Sequence, residues 1–168
     1  MTSTTRWLDD DEQRTWRAFV RLQSRLSAEL NRRLQATADL SLADYEVLVV
    51  LTDVPDERLR PYEMQKTLDW EQSRLSHHLG RMQRRGLVRR EECDEDGRGA
   101  YIALTETGRR AITEAAPDHV EAVRQLFFDA LNPSQVTALR RLVTQVLDRI
   151  EETNVSKDRK TRSQVAPR

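Results

Sequence analysis

The apolar positions of this chain recur at two periods, and the changes of period mark out its elements. Between residues 9 and 36, Trp16, Phe19, Leu22, Leu26, Leu30 and Leu34 return every three or four positions, with Arg and Glu between them. That spacing predicts one long amphipathic helix whose narrow stripe suits packing against another helix. The stretch TADL at 37–40 breaks it. Ser41 and Asp44 then form an S-x-x-D capping box that opens a second helix, with Tyr45, Leu48, Val49 and Leu51 apolar. This helix stops in DVPDE at 53–57. Pro61 starts a short third helix, with Met64 and Leu68 turned inward. Trp70 leads into a fourth helix over 71–85, closed by Gly86.

The period then shortens. Leu87-Val88 begins a strand, DEDGRG at 94–99 is turn-like, and YIAL at 101–104 returns, so 87–104 predicts a β-hairpin. Thr105 starts a fifth helix running to about residue 131. Pro117 lies inside it and is expected to kink it, having no N–H and crowding the preceding turn. Asn132-Pro133-Ser134-Gln135 caps a sixth helix. Its apolar positions Val136, Leu139, Leu142, Val143, Val146, Leu147 and Ile150 form a coiled-coil-type stripe. Beyond residue 153 there is charge without periodicity, which reads as a disordered basic tail.

This order predicts a mainly α fold with a small β-hairpin wing: a winged helix-turn-helix DNA-binding domain at 37–105. Dimerisation helices are expected on both sides, at 1–36 and 106–153, with the tail at 154–168. The flanking helices carry apolar seams too long to bury within so small a domain, and a second copy would cover them.

Charge at first argues against a nucleic-acid partner. The 168 residues hold 28 Lys+Arg and 28 Asp+Glu, a formal net charge of zero. The distribution reverses that argument. Residues 71–90 hold six arginines and one acid, whereas EECDED at 91–96 holds five acids and no base. A further basic cluster lies at 156–168. A local cluster of this kind binds phosphates whatever the global total. No apolar run approaches the ~20 residues that cross a bilayer, and MTSTTRWLDDDEQ lacks the apolar stretch of a signal peptide. The expected location is the cytoplasm, at the nucleoid.

On a helical wheel the fourth helix turns Leu75, Leu79, Met82 and Gly86 to one side. The other side carries Ser73, His77, Gly80, Arg81 and Arg84, with Arg74 and Ser76 on the flanks. Arginine can bond bidentately to a guanine edge, and Ser or His can reach base or phosphate acceptors, so this face suits the DNA major groove. Gly80 permits close approach. The arginines lack acids at i±4, so the face is not a salt-bridged solvent surface. Arg98, between two glycines at the hairpin tip, is a candidate for the minor groove. In the acidic run before it, either Asp94 or Asp96 braces Arg98 or Arg89 by a salt bridge, or the run points away from phosphate.

These residues resemble the MarR family of multiple-antibiotic-resistance-type regulators. The resemblance rests on SLADYEVL at 41–48, SRLSHHL at 73–79, MQRRGLV at 82–88, DGRGA at 96–100 and LTETGR at 104–109. PDHV at 117–120 and FDAL at 128–131 are similar to actinobacterial-type members. It covers residues 9–150 and implies a homodimeric winged-helix regulator, most often a repressor, that binds a palindromic operator on double-stranded DNA. Release by a small aromatic or phenolic effector is common in the family. By position, the resemblance implies DNA contacts by Ser73, Arg74, Ser76, His77 and Arg81, with Arg98 at the wing tip. It also places a ligand pocket where the long first helix meets the winged helix. Trp16, Arg17, Val20, Tyr45 and His119 are the candidates there, although core or dimer packing is the favoured reading of each.

Other chemistry finds little support. Cys93 is the single cysteine. Acidic neighbours should raise its thiol pKa, which points to an inert residue. His77 and His78 diverge on a helix and cannot share a metal, and no cofactor is expected. Ser73, His77 and Asp96 lack the nucleophile elbow and oxyanion loop of a hydrolase, so no enzyme is expected. The alternative of a different class is a winged-helix architectural or protein-interaction module without ligand response. A polar face on the fourth helix argues against it, since protein-contact surfaces carry more apolar area at their centre.

Overall fold

Capping chemistry sets the element boundaries in the computed structural model, which describes residues 5–92 and 100–164, with side chains to residue 154. α1 (Asp10–Ala38) starts from Asp9, whose carboxylate accepts from the Glu12 N–H at 2.8 Å. The Glu12 carboxylate accepts in return from the Asp9 N–H at 2.9 Å. The helix ends where Asp39 turns to φ 51°, a left-handed conformation that Asp tolerates. The S-x-x-D box opens α2 (Leu42–Thr52): the Asp44 N–H donates to Ser41 Oγ at 3.0 Å, and the Ser41 N–H to Asp44 Oδ2 at 2.9 Å. Asn31 Oδ1 accepts the next orphan donor, the Leu42 N–H, at 2.9 Å and so ties the start of α2 to α1.

α3 (Pro61–Leu68) has Pro61 in its first turn, and Glu63 accepts from the Arg60 N–H at 3.1 Å. α4 (Gln72–Arg84) follows, and Gly86 at φ 72° closes it without a Cβ penalty. Three strands form one antiparallel sheet in the order β1–β3–β2: β1 (Arg58–Leu59), β2 (Val88–Glu92) and β3 (Ala100–Leu104). The hairpin register sets Val88 opposite Leu104 and Glu92 opposite Ala100. β1 pairs Arg58 with Ala103 and Leu59 with Ile102. It has no counterpart in the sequence reading, because two residues show no alternation.

Thr105 then caps α5 (Glu106–Leu126). Its hydroxyl accepts from the Gly108 N–H at 2.9 Å and donates to the Gly86 carbonyl at 2.6 Å. A Cβ on Gly108 would overlap the Leu87 carbonyl oxygen, so the helix start and the hairpin root require glycine for their close approach. The core joins these elements: Leu34 from α1, Val47 and Leu48 from α2, Met64 from α3, Met82 from α4 and Val88 from β2 are all at most 2% exposed. Each fully buried side chain of this size contributes about 2 kcal/mol of hydrophobic stabilisation.

The chain divides into two compact units, Met1–Val123 and Arg124–Arg168. α5 is assigned as one continuous helix through Pro117. Pro117 leaves the Thr113 carbonyl without its N–H, but both residues are exposed, so water can satisfy that acceptor. α5 stops at Leu126 rather than near residue 131, and Phe128–Ala130 forms a single tighter 3-10 turn. In the second unit α6 (Pro133–Gln164) is capped by Asn132, whose Oδ1 accepts from the Gln135 N–H at 2.9 Å. α6 continues past residue 153, where its apolar seam ends and the sequence pattern predicts a disordered tail. The reason is compositional: 154–164 contains no Gly or Pro, and its Lys, Arg and Gln are good helix formers. Among the described residues no helix is long and apolar enough to cross a membrane.

Candidate nucleic-acid interface

α4 is amphipathic in a way that separates anchoring from display. Leu75, Leu79 and Met82 are buried, and they fix the helix on the core. Ser73, Arg74, Ser76, His77, Arg81 and Arg84 are all exposed on the same helix. The wheel reading therefore matches the burial at Leu75, Leu79 and Met82 and for these polar side chains, but not at Gly86, which is exposed just past the end of the helix. Gly80 lies among the displayed residues, and a Cβ there would meet only Arg84 Nη1 at 3.8 Å. Packing within the chain thus does not require this glycine, which leaves room for something else to approach. Arg98 and Cys93, together with the turn 93–99, lie outside the described residues.

The fourth and fifth arginines of the basic block are not equivalent to the displayed ones. Arg85 turns back into the fold: its Nη1 donates to Asp44 Oδ2 at 2.7 Å, and its Nη2 donates to the Asp39 carbonyl. Arg89 pairs with Glu91 on the same face of β2 at 2.6 Å, and Glu91 also lies 3.7 Å from Arg58. So Glu91, the first acid of the run before the wing tip, braces Arg89 and Arg58, whereas Asp94 and Asp96, the acids expected to brace Arg98 or Arg89, lie outside the described residues. Arg58 and Arg60 both stack on the Tyr101 ring, at 5.0 and 4.9 Å from its centroid.

Beneath the displayed face lies a polar cluster that the sequence reading did not single out. Asp44 is 3% and His78 5% exposed. His78 Nε2 lies 3.0 Å from Asp44 Oδ1, at ion-pair distance although outside hydrogen-bond geometry. Its other ring nitrogen, Nδ1, is 2.7 Å from Arg81 Nη2. Since a guanidinium only donates, Nδ1 is the acceptor and the ring proton is on Nε2, facing Asp44. Burial by itself would push the Asp44 carboxyl up. The His78 ring close by, the Ser41 N–H and hydroxyl and the Arg85 guanidinium together outweigh burial and hold it well below the usual carboxylate range. Trp70 meets the His78 ring edge-on at 5.4 Å, and the Arg74 guanidinium lies 4.1 Å above the Trp70 ring. A signal for His78 was present: at about 100° per residue it falls roughly 60° from the Leu75 direction, inside the buried arc.

The candidates for a ligand pocket are only partly brought together. Tyr45 and His119 stack at 4.2 Å between centroids. Burial raises the Tyr45 pKa and lowers that of His119, whose Nδ1 is buried without a hydrogen-bond partner. Trp16, Arg17 and Val20 instead lie exposed on α1, where Trp16 contacts Phe19 at 5.9 Å and Arg17 bonds Gln13 at 3.2 Å. An open groove along α6, between Thr137 and Glu152, involves none of these residues. No group of three or more potential metal ligands occurs among the described residues.

Comparison with known proteins places this arrangement. A model of the MarR family matches residues 38–99, the span from the end of α1 to the residue before β3. The structure superimposes on AbsC, a MarR family transcriptional regulator from Streptomyces coelicolor, with a TM-score of 0.82 and 36% identity, covering 88% of this chain and 99% of AbsC. It superimposes equally, at 0.82, on Sco3205, a MarR family regulator from the same organism solved in complex with DNA, with 38% identity over 88% of this chain and 92% of Sco3205. The transcriptional repressor MprA of Escherichia coli K12 is 24% identical over 136 residues, 81% of this chain and 76% of MprA. With its three-stranded sheet and helical body matching theirs over nearly the whole length of two such regulators, the chain belongs to the MarR family of DNA-binding transcriptional regulators.

Proposed function

We propose that this chain is a homodimeric repressor that reads a palindromic operator with α4 in the major groove and Arg98 in the minor groove. The observation that carries the reading is the split of α4 into three buried apolar anchors and a row of exposed polar side chains that includes three arginines. In this reading Arg81 and Arg74 take base edges or phosphates, Ser73, Ser76 and His77 complete the groove contacts, and Arg84 meets the backbone.

Dimerisation is supported by apolar side chains left exposed in each unit considered alone. Trp16, Phe19 and Leu22 are 44–57% exposed on α1, and Leu142, Val143, Val146, Leu147 and Ile150 are 46–59% exposed on α6. Isolated exposed apolar residues are ordinary, but rows at helical spacing mark interaction surfaces. The proposed effector is a small aromatic or phenolic compound. Tyr45 and His119 supply an aromatic wall and an unpaired acceptor or donor for it.

The test is a mobility shift against genomic fragments selected by the protein itself, at about 0.15 M salt. Wild type should retain fragments that share an inverted repeat. Arg81→Ala should lose on the order of tenfold to a hundredfold in affinity for them, the weight of one good base contact. Retention of wild-type affinity and base preference by Arg81→Ala would remove α4 as the reading element.

A further inference from the structure

The buried cluster under α4 lies along a single stripe of that helix. Residues 74, 78, 81 and 85 are separated by four, three and four positions, so their side chains leave the helix in one column. The column faces the N-terminal part of α2. Its lower end, Arg85, grips Asp44 and Asp39. Its centre, His78, is buried between Asp44 and Trp70. From that centre two exposed arginines are held. Arg81 donates to His78 Nδ1, and Arg74 lies over the Trp70 ring that packs on His78. Glu46 of α2 is half-buried beside the same column, where burial raises its pKa and the Arg74 charge opposes that rise.

We propose that His78 is a positioning residue for DNA reading: its unprotonated Nδ1 presets the Arg81 guanidinium before DNA arrives, and Asp44 locks the tautomer that makes Nδ1 the acceptor. The inference rests on α4 being the reading helix. The physical logic is that of a supporting shell. A free arginine loses side-chain entropy when it is fixed on a base. An arginine already held by a buried acceptor has lost part of that freedom on folding, so less is charged to binding. The histidine is suited to the task because it offers an acceptor and a donor on opposite sides of one rigid ring. Asp44 on the Nε2 side decides which is which, as carboxylates do for ring tautomers elsewhere. The groups facing His78 are Asp44 and Glu46 from α2, Arg74, Arg81 and Arg85 from α4, and Trp70 ahead of α4.

Two measurements on the full chain test this. In DNA-free protein, nitrogen-15 correlation spectra of the histidine rings should show His78 Nδ1 as the bare nitrogen, and Arg81→Ala should shift that resonance. A protonated Nδ1, or no response to Arg81→Ala, overturns the proposal without reference to DNA. The second measurement is a panel of operators each changed at one base pair. His78→Gln, which retains a donor towards Asp44 but no acceptor at the Nδ1 position, should flatten base preference at the same base pair as Arg81→Ala, on the order of tenfold. His78→Asn, whose carboxamide oxygen reaches the Nδ1 position, should restore much of it. A folded His78→Gln chain that weakens every operator equally, or that keeps the preference Arg81→Ala loses, overturns this inference alone. An Arg81→Ala chain with every preference intact overturns it together with the reading of α4.

Discussion

Asp44 occupies three roles with one carboxylate: it completes the cap of α2, receives Arg85 from the end of α4, and faces His78. Only the first role is readable from the S-x-x-D spacing, since the other two depend on partners 34 and 41 residues away in sequence. Its folded pKa is depressed, so its contribution is complete above the unfolded value near 4 and is lost as the pH falls below that value towards the folded one. Asp44→Asn should cost about 3 kcal/mol at pH 5, the low end for breaking a buried pair, because Arg85 is 38% exposed and can rehydrate. The deficit should narrow between pH 5 and pH 3, because the unfolded wild-type chain takes up a proton at Asp44 there while the folded one still holds the carboxylate ionised. Urea midpoints of both chains across that range check it, and a gap constant from pH 5 to pH 3 would show that the Asp44 charge is not what stabilises.

At the scale of elements, legibility followed the length of the periodic signal. α1, α2 and α4 were predicted within two or three residues because caps and apolar spacing agreed. The hairpin was predicted from alternation and glycines, whereas β1 at two residues carried no period to detect. The end of α6 was misplaced because an apolar stripe reports packing, while helix continuation needs only the absence of breakers. The displayed side of α4 was legible from the wheel, but the fate of Arg85 was not, since an arginine reads the same whether it grips DNA or Asp44. The exposed stripe of α6 carries a prediction of its own. Leu142, Val146 and Ile150 recur at i+4, with Val143 and Leu147 beside them. If a second copy covers this row, Val146→Glu places an unpaired carboxylate in an apolar seam and should weaken the dimer on the order of a hundredfold. Sedimentation equilibrium measures it directly. An unchanged association constant would exclude this row from the interface.

For the whole molecule, neutrality acquires a specific meaning. The arginine-rich α4 is offset by acids elsewhere, and Glu91 and Asp44 neutralise Arg89, Arg58 and Arg85 at close range. The cations left on display are few, so attachment to arbitrary DNA should be modest and the operator complex should rest more on base contacts. The salt dependence of binding counts those cations. Each phosphate contact steepens the slope of log affinity against log salt by about 0.9 on duplex DNA. Arg84 is exposed on α4 and its loss should leave the core intact. In a dimer on a two-fold operator, Arg84→Ala removes two symmetry-related contacts at once and should flatten the slope by about 2. A flattening of about 1 would mean that a single protomer engages. An unchanged slope would mean that Arg84 does not meet phosphate, and the displayed arginine charge of α4 available to DNA would then be confined to Arg74 and Arg81.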